Sequence, residues 1–192
     1  MSIKRCILLF DAVIASLLFL LVLSFEIPAF AKWLHGIEEK IEEKKSSFIV
    51  KEGDMAPQFE IDLLDGTKFS LNDMSGNLVL IQFFNMEARS KEDVQYVKTD
   101  IIGKYGKEEK FNYVAVACDC REDELLKDVE SDDKSKVAND PVGKVFNLFS
   151  KQGASVSRCV LVDEDGKILK LVETPEELKK LPEVIKNRLA SF

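Results

Sequence analysis

The chain has 192 residues, 46% hydrophobic and 32% charged, an ordinary globular composition with room for a buried core and one appended segment. Its formal net charge of -7 and pI near 5.0 exclude a phosphate-binding basic face, and with it nucleic acid as a partner, because the lysines are interleaved with acids. One histidine, His35, outside the globular region, and four cysteines, Cys6, Cys118, Cys120 and Cys159, leave no Cys-His or Ser-His nucleophile pair and no disulfide framework; neither a metal nor a cofactor is expected.

In chain order, Lys4 and Arg5 precede about 20 largely apolar residues from Cys6 to Phe25, the length that crosses a bilayer as a helix. Residues 1–31 read either as a retained anchor, with Pro28 beyond its end and Trp33 placed for the interface, or as a signal peptide cleaved near Ala31. Asp11 is a blemish on both readings. Either way the basic start stays inside and the rest is exported, membrane-anchored on the periplasmic or extracytoplasmic side or released to the periplasm. Residues 32–49 mix Glu38, Glu42, Lys40 and Lys44 around Ile37 and Ile41, the pattern of a charged helical stalk or linker.

From residue 50 to 192 the punctuation is that of a single α/β domain. Two alternating runs flank Asp65-Gly66, a hairpin signal. A continuous apolar run at 77–84 after Gly76 predicts a strand buried on both faces. Val94, Val97, Ile101 and Ile102 stripe a helix over 86–105, with Gly103 and Gly106 as its stop signals. A second buried strand is expected at 111–118 and a polar helix from Arg121. A short amphipathic helix carries Val145, Leu148 and Phe149, a second hairpin turns at Asp165-Gly166, and a closing helix starts at Thr174 as N-cap with Pro175 in its first position. The sum is a mixed central sheet with helices on both faces.

Several stretches in this order, "GDMAPQFEIDLLDGTKFSLNDMSGNLVLIQFFN", "DPVGKVFNLF" and "VLVDEDGKIL", resemble the thioredoxin-like superfamily, in particular its exported branch of thiol-disulfide oxidoreductases and peroxiredoxin-like proteins of the AhpC/TSA type. The resemblance spans roughly residues 50–190. It implies a thioredoxin-like fold with an N-terminal β-hairpin, and a reactive C-x-x-C at the start of the helix after the central strand, where the helix N-terminus raises the thiolate fraction.

At those two positions stand Ala88 and Lys91, and no cysteine occurs anywhere in residues 49–117. The family's cis-proline, which faces the thiols, maps onto Ser157, where a cis bond would cost about 3 kcal/mol and a trans bond is expected. With both parts of the redox site replaced, no catalytic residue is expected. The leading expectation is a redox-inactive domain acting by protein binding in the cell envelope, through an edge carrying Met86, Glu87, Arg89, Lys91, Ser157 and Arg158. Arg89 and Lys91 are unusual there, since cations oppose the dipole of a helix N-terminus. The alternative is a divergent thiol-disulfide oxidoreductase or peroxide reductase using Cys118 or Cys120, with Cys159 near by. Cys120, between charged neighbours in a loop, is expected to be the most exposed thiol. Cys118 and Cys159 are expected on strands flanking the central one, about 9–10 Å apart and beyond disulfide reach.

Overall fold

The continuous apolar run after Gly76 becomes the middle of the protein. In the computed structural model, which describes residues 46–129 and 131–192, it forms strand β3 (Leu78–Phe84), and every residue of it is buried. A strand with both faces covered needs no polar alternation, which is why the run reads as unbroken hydrophobicity. Around it five strands run in the order β5-β4-β3-β6-β7, where β4 is Phe111–Cys118, β5 Val137–Asp140, β6 Arg158–Val162 and β7 Ile168–Val172. β3, β4 and β5 are parallel, while β6 runs antiparallel to both β3 and β7. The first hairpin, β1 (Glu60–Asp62) with β2 (Lys68–Ser70), forms a separate two-stranded sheet.

Alternation along the strands sends two different sets of side chains to the two faces. Val79, Ile81 and Phe83 meet Phe59 and Phe69 of the hairpin region and Phe146 and Phe149 of a short helix, α3 (Phe146–Phe149). Leu78 and Leu80 meet Val97 and Ile101 of the long helix and Leu178, Leu181 and Ile185 of the C-terminal helices α4 (Pro175–Leu178) and α5 (Leu181–Leu189). Phe84, Ala115 and Ala117 meet Leu125 of α2 (Glu122–Asp128). Helices therefore stand on both faces, as the sequence predicts.

The long helix departs from its expected form. α1 (Ala88–Tyr96) continues as a π-helical stretch, Val97–Ile102, and a last turn, Gly103–Tyr105. Gly103 is thus inside the helix, and Gly106 alone stops it. That position takes glycine for a steric reason: a Cβ at Gly106 would lie 2.6 Å from the Ile102 carbonyl oxygen, whose partner is the Gly106 N–H at 2.8 Å. The closing helix begins as predicted, with the Thr174 hydroxyl accepting from the Glu177 N–H and the Glu177 carboxylate accepting from the Thr174 N–H. It is broken into α4 and α5 near Pro182 rather than continuous.

Strand β5 was not expected, because Val137–Asp140 is short and follows the lysine- and aspartate-rich turn Ser131–Lys136. Phe48, expected in the stalk, is instead 5% exposed and bridges Ser150, so the packed unit begins at Ser47. Among the described residues no helix is long and apolar enough to cross a membrane. The expected anchor or signal segment and residues 32–45 of the stalk lie outside the described residues.

Candidate functional site

The edge that the sequence singles out is built where β3 gives way to α1. The chain leaves Phe84 through Asn85, Met86 and Glu87, and Glu87 is the extended N-cap of α1 without a side-chain capping bond. The turn is tied from below instead: the Ser90 hydroxyl, 2% exposed, accepts the Asn85 N–H at 2.9 Å, while the Asn85 side-chain oxygen accepts the Glu87 N–H at 3.2 Å. Ser90 is therefore a structural fastener, consistent with the lack of a histidine in residues 46–192 to activate it. Met86 is half-buried, and Glu87 and Lys91 are exposed. No acid occupies the first turn of α1 itself, and the only acid at its N-terminal end is the exposed N-cap Glu87.

The segment before β6 meets α1 further along, at Asp93. Ser157, half-buried, donates its hydroxyl to the Asp93 carboxylate, which joins that segment to α1. Every peptide bond among the described residues is trans, Ser157's included. Asp93 was not foreseen as part of this edge, and no local pattern could have shown it: its partner lies 64 residues away.

Arg158 overturns its expected place. It is 4% exposed, and its guanidinium donates to the Ser155 carbonyl at 2.7 Å, the Ser150 hydroxyl at 3.1 Å and the Ser47 hydroxyl at 3.0 Å. It also lies over the rings of Phe48 at 4.7 Å and Phe146 at 5.4 Å. Ser47 passes the connection on, donating both its N–H and its hydroxyl to the Glu173 carboxylate. Arg158 fastens the start of the domain to the sheet and is not available to a partner.

The three described cysteines are all free and all buried. Cys118 and Cys159 do lie on the two strands that flank β3, and they also face opposite sides of the sheet. Cys120 corrects the expectation of an exposed thiol: it is 4% exposed and donates to the Cys118 carbonyl at 3.2 Å. The cause is local. β4 ends at Cys118, and Asp119 takes a left-handed φ of 51°, which turns the chain so that Cys120 packs with Phe84 and Leu125 while Cys118 stays with the opposite core. Two positions apart, the thiols point into different layers. Burial pushes all three thiols up; for Cys120 the Met86 backbone N–H offsets part of that rise. A thiol held protonated is neither nucleophile nor metal ligand, and no cluster of metal-ligating side chains exists among the described residues.

The fold of this chain is shared with solved structures. A proposed protein disulfide isomerase from Bacteroides thetaiotaomicron superposes with a TM-score of 0.68 at 28% identity, over 75% of this chain and 93% of that one. The chain belongs to the thioredoxin-like superfamily. A proposed thiol:disulfide interchange protein of the DsbE type from Chlorobium tepidum matches with a TM-score of 0.60 at 25% identity, over 73% and 99% of the two chains. The exposed lipoprotein thioredoxin of Streptococcus pneumoniae, at 19% identity and a TM-score of 0.52 over 68% and 99%, shares the fold. The sequence matches no protein-family model and no curated protein. On this thioredoxin-like scaffold the segment before β6 is joined to α1 through Ser157 and Asp93, and neither the turn at 86–91 nor the segment at 155–157 carries a cysteine.

Proposed function

We propose that this protein is an exported, membrane-tethered thioredoxin-like domain without dithiol chemistry, which acts by binding another envelope protein along the edge formed by Met86, Glu87, Arg89, Lys91 and Ser157. One observation carries the reading: Ala88 and Lys91 occupy the dithiol positions, and each of the three described thiols is less than 5% exposed and held protonated. What remains at the edge is recognition chemistry. The first turn of α1 has no side-chain cap, so its N–H groups favour acidic or carbonyl-rich partners, and the Ser157–Asp93 bond ties the segment before β6 to the same helix.

The reading is tested on the full chain by alkylation under native conditions followed by mass spectrometry. Cys118, Cys120 and Cys159 remain unmodified until urea is added, and the protein fails to reduce insulin. In cells, the triple alanine variant of those cysteines keeps its phenotype, whereas Arg89→Glu with Lys91→Glu loses it.

One observation favours a second reading, a divergent oxidoreductase working through Cys120. Its sulfur lies against the Met86 backbone N–H, beside the position where relatives carry their thiols, and Lys91 also favours its thiolate. Native alkylation of Cys120, together with insulin reduction that Cys120→Ser abolishes, would establish that reading in place of the first.

A further inference from the structure

Residues 47–49 lie along the outside of the domain without joining a named strand. Phe48 bridges Ser150, and the Ile49 N–H donates to the Phe149 carbonyl at 2.8 Å. Their side chains alternate: Ile49 is 55% exposed, while Phe48, 5% exposed, is set into the same core as Phe146 and Phe149. A short surface segment anchored by one ring and its hydrogen bonds opens more readily than the buried strands beneath it.

The same segment holds the loop that leads to Ser157. The Lys151 N–H donates to the Ser47 carbonyl at 2.8 Å, which fixes the start of that loop. Its end is fixed at one remove, because the Arg158 guanidinium donates both to the Ser47 hydroxyl at 3.0 Å and to the Ser155 carbonyl at 2.7 Å, just ahead of Ser157. Between them the Ala154 N–H donates to the Lys151 carbonyl, which closes a turn inside the loop. Ser47 is held in its turn by the Glu173 carboxylate, which accepts its N–H at 3.0 Å and its hydroxyl at 3.2 Å. Docking of 47–49 therefore decides the state of Arg158. With the segment in place the guanidinium is 4% exposed and lies 4.7 Å from the Phe48 ring. With it gone, the ring and the Ser47 hydroxyl leave together, water reaches the charge, and a cation stripped of part of its buried setting turns outward and releases the Ser155 carbonyl.

We propose that residues 47–49 form a releasable strap, coupled through Arg158 to the segment 155–157, so that the strap and the candidate edge order and open together. The release stops at Gly53. From there the chain is tied separately to the far end of the sheet, by the Gly53 N–H on the Ile168 carbonyl and the Ala56 N–H on the Gly166 carbonyl, and Gly53, with a φ of 91°, is the pivot. This coupling does not rest on the protein-binding reading, since it exists whether or not a partner occupies the edge; a partner that orders 155–157 would by linkage tighten the strap.

The test is hydrogen-exchange mass spectrometry of the purified full chain and its variants at neutral pH. Phe48→Ala leaves Arg158, Ser155 and Ser157 in place, and should speed exchange in peptides covering 47–51 and 150–157 by a common factor of about tenfold or more, with 163–170 and 174–189 unchanged. Ser47→Ala is milder and should speed both by roughly two- to fivefold, and it decides alone should Phe48→Ala not fold. Linkage also runs backwards: Ser157→Ala frees the other end of the loop from Asp93 and should speed 47–51 by about twofold or more. Phe69→Ala, which removes a ring of the same core outside the strap, should not open 47–51 and 150–157 selectively. Faster exchange of 47–51 without 150–157, equal acceleration across 163–170 and 174–189, or a Ser157→Ala variant whose residues 47–51 exchange as in the parent each overturns the proposal. The selective pattern appearing in Phe69→Ala overturns it as well.

Discussion

The two faces of the central sheet solve the same packing problem differently. On one, Phe59 and Phe149 meet edge to face at 6.0 Å, and Phe83 and Phe146 at 5.4 Å, so large rings interlock at its centre, and the space left, about 120 Å³, lies at its margin by Leu71, Val79 and Val162. On the other, β4 contributes Ala115 and Ala117, and about 250 Å³ stays open beneath the long helix. Close packing makes the first face intolerant of change, while the second has room to hold something or to adjust. The difference teaches where this scaffold stores stability and where it leaves capacity.

The sharpest way to break that contrast is to truncate one face and enlarge the other. Phe149 is fully buried against Phe59 and Phe83, so Phe149→Ala should lower the free energy of unfolding by about 3–5 kcal/mol, read from urea denaturation of the purified chain. Ala115→Val adds two methyl groups next to the cavity and should change stability by less than about 1 kcal/mol in either direction. Comparable losses for the two variants would mean the faces are packed alike.

Arg158 gives the next largest effect, because the ring-filled face is also the one it fastens. Arg158→Met keeps a long side chain over Phe48 and Phe146 but deletes three charge-assisted hydrogen bonds, to Ser47, Ser150 and the Ser155 carbonyl. A loss of about 2–3 kcal/mol is expected, with Ser47–Val50 becoming the first amides to exchange in hydrogen-exchange mass spectrometry. Exchange that begins instead in α4 and α5 would place the weak point on the opposite face.

How much of this was legible depended on whether the cause lay within a few residues. The apolar run of β3, both Asp-Gly hairpins and the Thr174–Glu177 cap are short-range patterns, and each stands where the sequence put it. The π-helical stretch was hidden because adjacent Ile101 and Ile102 fit an ordinary helical stripe equally well. β5 is four residues long and borrows its order from β4 alongside it, so nothing in Val137–Asp140 announces a strand. Cys120 misled because neighbouring charges suggested exposure, and Arg158 because it adjoins the position that the resemblance gives to the edge; the left-handed turn at Asp119 and the reach of a guanidinium to Ser47 decided burial. The loss of the dithiol was legible outright, being a matter of which residues are absent; the Ser157–Asp93 bond and the cavity, made by residues far apart in the chain, were not.

Alkaline pH offers a third comparison of the faces, since Cys118 sits on the ring-filled one and Cys159 on the helix-covered one. Burial raises both thiols above their ordinary value of 9.0. The native state therefore keeps protons that the unfolded chain releases, so the associated stability is complete below about pH 9 and is lost as pH rises beyond it. The slope is about 1.4 kcal/mol per pH unit for each thiol. Urea midpoints measured from about pH 8 to about pH 11 should fall along such a limb, and Cys118→Ala and Cys159→Ala should each flatten it by the same amount. A smaller change for Cys159 would show that water reaches the helix-covered face.

The smallest expected effect isolates the lid of that face. The Glu177 carboxylate accepts the N–H groups of both Glu173 and Thr174 at 2.8 and 3.0 Å, while the Thr174 hydroxyl accepts the Glu177 N–H at 3.3 Å, so three backbone donors at the start of α4 depend on two side chains. Thr174→Ala removes one of these acceptors and should cost about 1 kcal/mol, with Thr174→Ser restoring most of it. Leu178, Leu181 and Ile185 join α4 and α5 to Leu78 and Leu80 of β3, so the loss should appear as faster amide exchange across 174–189 with Phe59 and Phe69 unaffected. Were the hairpin amides to speed up equally, the two faces would be one cooperative unit, and their division of labour would be a difference in packing alone.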